Sequence, residues 1–193
     1  MIGFVGMSMN LILASRSPRR RKILMDLGLT FETIDPDVEE LDYPADPDGM
    51  VRENARRKWA WCRERFPSAA VIAADTTVDL NGRCLGKPHT REAAFAMLRT
   101  ESGQMQTVHT GYALAGADDL QPLVAVETSR VYFRTLTDAT INAYLDAVNP
   151  LDRAGAYDID SQGIDLIERI EGSYTNVMGL PAERIKEWMH ARW

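Results

Sequence analysis

Cysteine is scarce in this chain: Cys62 and Cys84 are the only two among 193 residues, and neither lies in a Cys-x-x-Cys pair. A disulfide framework and a cysteine-based zinc site are therefore excluded as organising devices. The three histidines, His89, His109 and His190, are too widely spaced to give a zinc signature. No apolar run approaches the roughly 18 to 20 residues that a membrane-spanning helix requires. Basic residues are outnumbered, 22 Lys and Arg against 28 Asp and Glu, for a net charge of −6. Nucleic-acid binding rests on a basic face that neutralises phosphates, so this balance argues against it while leaving room for a small basic pocket. The apolar stretch from Met1 to Met9 has neither the basic start nor the cleavage pattern of a secretory signal. It reads as a frayed extension over residues 1–9, with Met7 and Met9 as alternative starts, before a single domain over 10–193 of a cytoplasmic protein.

What is present centres on Ala69-Ala70-Val71-Ile72-Ala73-Ala74, which runs directly into Asp75-Thr76-Thr77. A continuous apolar run of this length reads as a strand buried on both faces. Its carboxyl end is where an open α/β sheet places ligand chemistry. Val78-Asp79-Leu80 and Arg83-Cys84-Leu85 flank Asn81-Gly82, the strongest short hairpin signal. That hairpin returns Gly86-Lys87-Pro88 towards Asp75, setting a carboxylate opposite a lysine suited to phosphate. The plainer alternative is that Asp75 caps a turn and Lys87 is solvated.

Upstream, Asn10 to Ala14 reads as a buried strand that ends in Ser15-Arg16-Ser17-Pro18-Arg19-Arg20. Ser17 suits a helix N-cap and Pro18 the first helical position. Arg19 and Arg20 then oppose the helix dipole, at roughly 0.3 to 1 kcal/mol each. Their position makes sense if an anion sits at the free N–H groups and the guanidinium forks. The loop Asp35-Pro36-Asp37-Val38-Glu39-Glu40 has the oxygen-rich composition of a hard-cation site, or of a solvated loop. A helical pattern follows from about Asp48 to Phe66, with Lys58 beside its apolar stripe. Further on come a helix capped by Thr90, strands around Gln106–His109 and Tyr112–Ala115, a long strand from Val124 to Arg134, and helices from Thr137 and Ala182. Trp188 and Trp193 read as packing residues. The alternation predicts an α/β fold with a mixed sheet, in one domain whose two lobes flank a cleft.

Together these segments resemble the Maf-like nucleoside triphosphate pyrophosphatases. The matching stretches are Leu13 to Arg20, Pro36 to Glu40, Val51 to Lys58, Ala74-Asp75-Thr76, Gly86-Lys87-Pro88 and Thr110-Gly111. Asp152 to Tyr157, Gly172-Ser173-Tyr174 and Asn176 to Pro181 complete the set. Each is weak alone; their common order from Leu11 to Pro181 is specific. The resemblance implies an elongated fold related to inosine triphosphatase, commonly dimeric. It implies hydrolysis of a nucleoside triphosphate to the monophosphate and pyrophosphate with a divalent cation, Mg²⁺ or Mn²⁺. Asp75 matches the proton acceptor and a metal ligand, and Glu40 a metal ligand or water-positioning group. Lys58 and Lys87 match the phosphate-facing lysines, and Ser15, Arg19 and Arg20 the anion-binding turn.

The chain departs from the family pattern at Arg153 for Lys, Asp158 for Gly, Asp160 for Gln and Gln106 for His. The resemblance implies that base selectivity is set at three positions, which fall here on Arg19, Thr76 and Asp160, with Arg153 as a further substrate contact. Arg19 with Thr76 resembles the branch acting on dTTP and UTP; an acidic third position resembles the branch that takes 7-methyl-GTP. A carboxylate only accepts hydrogen bonds and suits guanine N1–H and N2–H₂, whereas glutamine also donates and suits a pyrimidine edge. Two positions against one put a pyrimidine triphosphate first. Two readings of other classes stand beside this one. A nucleotide sensor without hydrolysis would be expected to lack Asp75 or Lys87. A nucleic-acid module built on Arg16, Arg19, Arg20, Arg21 and Lys22 would need interleaved aromatics.

Overall fold

The computed structural model describes residues 10–42, 45–159 and 166–192. The expected extension over residues 1–9 and the candidate Asp160 lie outside the described residues. The elements begin with β1 (Leu11–Ala14), α1 (Pro18–Asp26), β2 (Glu32–Ile34) and α2 (Pro47–Arg65). β3 (Ala70–Leu80), β4 (Arg83–Leu85) and α3 (Arg91–Glu101) follow. Then come β5 (Met105–Ala115), β6 (Leu123–Phe133), α4 (Asp138–Ala147) and a 3₁₀ turn (Ala154–Ala156). β7 (Ile167–Glu171), the single turn α5 (Tyr174–Val177) and α6 (Ala182–His190) complete the set.

The strands form one mixed sheet in the order β2-β1-β3-β5-β6-β7, with β4 paired to β3. β1 runs parallel to both β2 and β3, while β3, β5, β6 and β7 pair antiparallel in turn. Alternation along the buried strands divides the core in two. Ile12, Ala14, Val71, Ala73, Ala113 and Ala115 face Ala55, Trp59 and Cys62 of α2. Leu11, Leu13, Ala70, Ile72 and Leu114 face the opposite layer, which includes Ile23 and Leu24 of α1, Leu98 of α3, Ile141 of α4 and Ile185 and Trp188 of α6. The small side chains on the α2 face admit the helix closely. A Cβ on Gly111 of β5 would stand 2.2 Å from the Val51 carbonyl oxygen, so the helix backbone rests on the sheet there.

Local signals account for much of this. Ser17 Oγ accepts the Arg20 N–H at 3.4 Å and Pro18 opens α1. Asn81 and Gly82 both take positive φ, 54° and 82°, as the tight hairpin between β3 and β4 demands. Two expectations are corrected. Asp75 does not end its strand, because β3 continues to Leu80. The strands expected at Gln106–His109 and Tyr112–Ala115 are one, since Thr110 and Gly111 stay in register opposite Thr76 and Asp75.

That register creates the feature on which the site is built. Along one edge of β3, β1 pairs only as far as Ala14 with Ala73, and β4 begins only at Leu85 with Val78. Among the described residues, 74–77 therefore have no strand on that side, while β5 pairs them on the other. The backbone edge left open there must be met by side chains or ligand.

Candidate active site

On the α2 face of the gap, Asp75 meets two side chains that lie one helical turn apart. Asn54 Nδ2 donates to Asp75 Oδ2 at 2.9 Å, and Lys58 Nζ lies 2.8 Å from Asp75 Oδ1. The same ammonium is 2.5 Å from Glu40 Oε1, so Lys58 bridges the two carboxylates. Lys58 and Asp75 are largely buried there, whereas Glu40 is half exposed. Asn54 also clips the acidic loop in place: its Oδ1 accepts the Leu41 N–H at 2.7 Å and its Nδ2 donates to the Leu41 carbonyl at 3.0 Å. Glu40 is thereby delivered to Asp75 by the residue after it.

On the opposite face, Arg20 fills the gap. Its Nη1 donates to the Ala74 carbonyl at 2.9 Å and to Ser15 Oγ at 3.2 Å. Nη2 donates to Thr76 Oγ1 at 2.9 Å, and Nε to the Gly179 carbonyl at 2.7 Å. Thr76 Oγ1 lies 3.0 Å from Thr110 Oγ1, which donates onward to the Asn176 carbonyl at 3.1 Å. With that proton committed, Thr76 is the donor to Thr110, and the chain runs from Arg20 through Thr76 and Thr110 to Asn176. Burial pulls the Arg20 pKa below the usual arginine value, while the Asp75 charge opposes the change. Ser15 Oγ, besides receiving Arg20, accepts the Ser17 N–H at 3.2 Å.

Arg19, the next cation on α1, is half-buried and its Nε has no hydrogen-bond partner among the described residues. Burial first, and then the neighbouring Arg153 cation, lower its pKa; the Asp158 charge acts the other way. Arg153 is ion-paired with Asp158, whose carboxylate is nearly buried. Asp152 also lies 3.8 Å from Arg153 Nε and acts on Arg19 in the same sense as Asp158, so the two guanidinium groups are met by two carboxylates, of which Asp152 is exposed. Lys87 is exposed beyond β4 and makes no ion pair among the described residues. Its turn is tied to the same region, because the Gly155 N–H reaches the Gly86 carbonyl at 3.3 Å and the His89 N–H reaches the Leu151 carbonyl at 3.4 Å.

Of the residues singled out in the sequence, Glu40, Lys58 and Asp75 come together on one face of the gap, and Ser15, Arg20 and Thr76 on the other. Asn54, Thr110 and Asn176 were not anticipated as site residues. Asn54 carries a readable signal, its spacing of one helical turn from Lys58. Among the described residues no cluster of three or more His, Cys, Asp or Glu side chains is arranged to hold a metal ion; Glu40 and Asp75 form a two-carboxylate pair.

Comparison with known proteins identifies the family. The profile of the Maf-like protein family matches residues 10–192. A protein of Methylobacillus flagellatus named dTTP/UTP pyrophosphatase is 45% identical over 172 residues, covering 88% of this chain and 85% of its own. A protein of the same name from Carboxydothermus hydrogenoformans is 39% identical over 184 residues, covering 93% of this chain and 99% of its own. In fold, the chain is similar to the solved structure of the Staphylococcus aureus Ham1 protein, with a TM-score of 0.54 at 17% identity over 95% of this chain and 100% of that one. With its sequence matched nearly end to end and its mixed α/β sheet, this chain belongs to the Maf-like protein family.

Proposed function

We propose that this chain hydrolyses a nucleoside triphosphate, dTTP or UTP before others, to the monophosphate and pyrophosphate at the β3 gap. The observation that carries the reading is Asp75 at that gap, bridged by Lys58 to Glu40 on one face of the sheet, with Arg20 of α1 on the Ala74 carbonyl from the other. Asp75 accepts the proton of a water as its oxygen attacks the α-phosphorus. The bond from that phosphorus to the bridging oxygen breaks, and pyrophosphate leaves. Both Asp75 oxygens already accept a hydrogen bond, which fixes the carboxylate's direction, and each keeps a lone pair for the water. Lys58 and Lys87 act as point charges on the triphosphate, and Arg19 and Arg153 supply planar forks at its other end. Ser15, Arg20 and Thr76 hold the floor of the gap in shape.

The donor chemistry fits a divalent cation. Mg²⁺ or Mn²⁺ takes one or two carboxylates together with phosphate and water oxygens, and Glu40 and Asp75 already share one cation, the Lys58 ammonium. When bound, such an ion supplies charge against the phosphate oxygens. Preference for dTTP and UTP is supported by Arg19 with Thr76 and by the names of the relatives at 39% and 45% identity. An acidic Asp160 favours a guanine edge, which keeps 7-methyl-GTP as the second substrate to try. The protein is read as acting on free nucleotides, as a homodimer, without nucleic acid or membrane. A non-hydrolysing nucleotide sensor is the reading of a different class. The deciding experiment assays pyrophosphate and orthophosphate separately from each common and methylated triphosphate, with Mg²⁺ or Mn²⁺, for wild type and Asp75→Asn. Pyrophosphate from one or two nucleotides, abolished in the variant, is the expected result. Folded, metal-supplied protein that releases none would promote the sensor.

A further inference from the structure

Glu101 ends α3 with its side chain fully buried, and neither carboxyl oxygen has a hydrogen-bond partner among the described residues. Burial raises its pKa well above the ordinary value, which favours the protonated carboxyl. It lies within a cluster of other polar groups that the hydrolysis does not use. Gln106 of β5 is 1% exposed, and the Tyr157 hydroxyl, just after the 3₁₀ turn, faces its amide without a well-aligned hydrogen bond. Tyr144 of α4 adds a second hydroxyl, which accepts the Asp158 N–H at 2.9 Å. The charged groups that reach this cluster electrostatically are Arg19 of α1, beside Tyr157, and Arg153 and Asp158, beside Tyr144.

The turn sits directly on the carboxyl group. A Cβ on Gly155 would stand 3.1 Å from Glu101 Oε1 and 3.0 Å from the Tyr157 ring, and Gly155 holds φ at +75°. Gly155 in turn holds the Gly86 carbonyl, beside Lys87, and Arg153 lies two residues before it. An unpaired buried carboxyl costs stability that an apolar side chain of similar size would not. Its contribution therefore lies in what it supports.

We propose that Glu101 is a positioning residue: with Gln106 and Tyr157 it forms a polar seat under Gly155 that fixes the Arg153 turn and, through Gly86, the Lys87 turn for the phosphates. The inference rests on the phosphate-binding reading of those two cations. An apolar floor would remove the carboxyl from beside the Tyr157 hydroxyl and leave that hydroxyl only the Gln106 amide as a polar neighbour. Both would rotate, and the turn would lift with them. Glutamine keeps a donor and an acceptor at the same place.

The test compares Glu101→Leu and Glu101→Gln for Tm, KM, kcat and amide hydrogen exchange at Gly155 and Ala156. Glu101→Leu is expected to keep or raise Tm while KM rises roughly tenfold and the two amides exchange faster. Glu101→Gln is expected to rescue KM and slow exchange. A residue that only filled the core would lower Tm, or move nothing. Unchanged KM and exchange in Glu101→Leu, or a fall in Tm with no rescue by Gln, overturns the proposal. Should Glu101→Leu not fold, Tyr157→Phe removes one hydroxyl of the seat and carries the same two outcomes in KM and exchange. If wild type hydrolyses no nucleotide, the functional reading fails, and exchange alone decides whether Glu101 seats the turn.

Discussion

Arg20 and Lys58 meet at one carbonyl oxygen, that of Ala74, from opposite faces of the sheet: Arg20 Nη1 at 2.9 Å and Lys58 Nζ at 3.4 Å. Neither contact would exist if β1 ran on beside β3. The carbonyl is open because the β1 pairing stops at Ala73 and β4 starts at Val78. A strand interruption thus places a cation from each layer within reach of one backbone group, next to Asp75. The gap also explains why a charged side chain can be buried at Arg20, since its donors replace part of a missing ladder.

Arg20→Lys should therefore be a costly substitution despite keeping the charge. A lysine cannot reach the Ala74 and Gly179 carbonyls and the Ser15 and Thr76 hydroxyls together, because it lacks the planar fork. The expected loss is about 2 to 4 kcal/mol in urea unfolding, from a buried cation with its acceptors stranded. Stability within a few tenths of wild type would mean that the guanidinium network is not what holds the gap.

Asn54 separates stability from catalysis in the opposite direction. Asn54→Leu removes the clip on Leu41 and the donor to Asp75 while keeping side-chain volume. Destabilisation of about 1 to 3 kcal/mol is expected from the stranded Leu41 amide and carbonyl. kcat should fall by roughly 10- to 100-fold, because Glu40 is no longer delivered to the site and Asp75 loses its orientation. Steady-state kinetics with pyrophosphate detection measures it; unchanged kcat would detach the acidic loop from the chemistry.

How far this was legible in the sequence depends on whether each feature is local. Ser17-Pro18, Asn81-Gly82 and Thr90 announce their caps and turn through their own backbone chemistry, and each stands where expected. The Ala69–Ala74 run announces a buried strand for the same reason. The gap is different: it exists only through where β1 and β4 stop along β3, a matter of register between segments far apart in the chain. The sequence accordingly presents Arg20 as an anion ligand, whereas its acceptors in the fold are protein groups brought in from β3 and the Gly179 loop. Asn54 shows only its one-turn spacing from Lys58 in the sequence, because its partners lie on a loop and on β3. Glu101 was invisible for a related reason, since the end of an amphipathic helix ordinarily carries a solvated acid.

The acid at Glu101 predicts a pH dependence of stability with a definite sign. Its folded pKa lies well above the ordinary 4.5. Below that ordinary value both states hold the proton and the residue contributes no slope. Above it the unfolded chain releases the proton while the native state keeps it, so the native state binds more protons. Stability then falls as pH rises, until the raised folded pKa is reached, at up to about 1.4 kcal/mol per pH unit. Glu101→Gln removes this slope. Melting temperatures of variant and wild type measured from about pH 4.5 to pH 8 should diverge, the variant gaining as pH rises. Parallel curves would show that Glu101 is ionised in the native state.

Gly111 tests whether the backbone contact between α2 and β5 aligns the site. Gly111 pairs with Asp75 across the sheet, and a Cβ there would stand 2.2 Å from the Val51 carbonyl oxygen and 2.6 Å from the Arg52 nitrogen. Both are backbone atoms, which no rotamer change can move aside. Gly111→Ala must then displace α2 from the sheet, at a cost of about 1 to 3 kcal/mol for overpacking. The displacement also carries Asn54 and Lys58, one and two turns further along, away from Asp75. Activity should therefore fall more than stability does: kcat drops by about 100-fold for a shift near 1 Å, in protein that remains folded at the assay temperature. Loss of kcat no greater than in a matched destabilised variant such as Leu98→Ala, which thins the opposite core layer away from the gap, would show that α2 tolerates the shift and that its alignment over Asp75 is not set at Gly111.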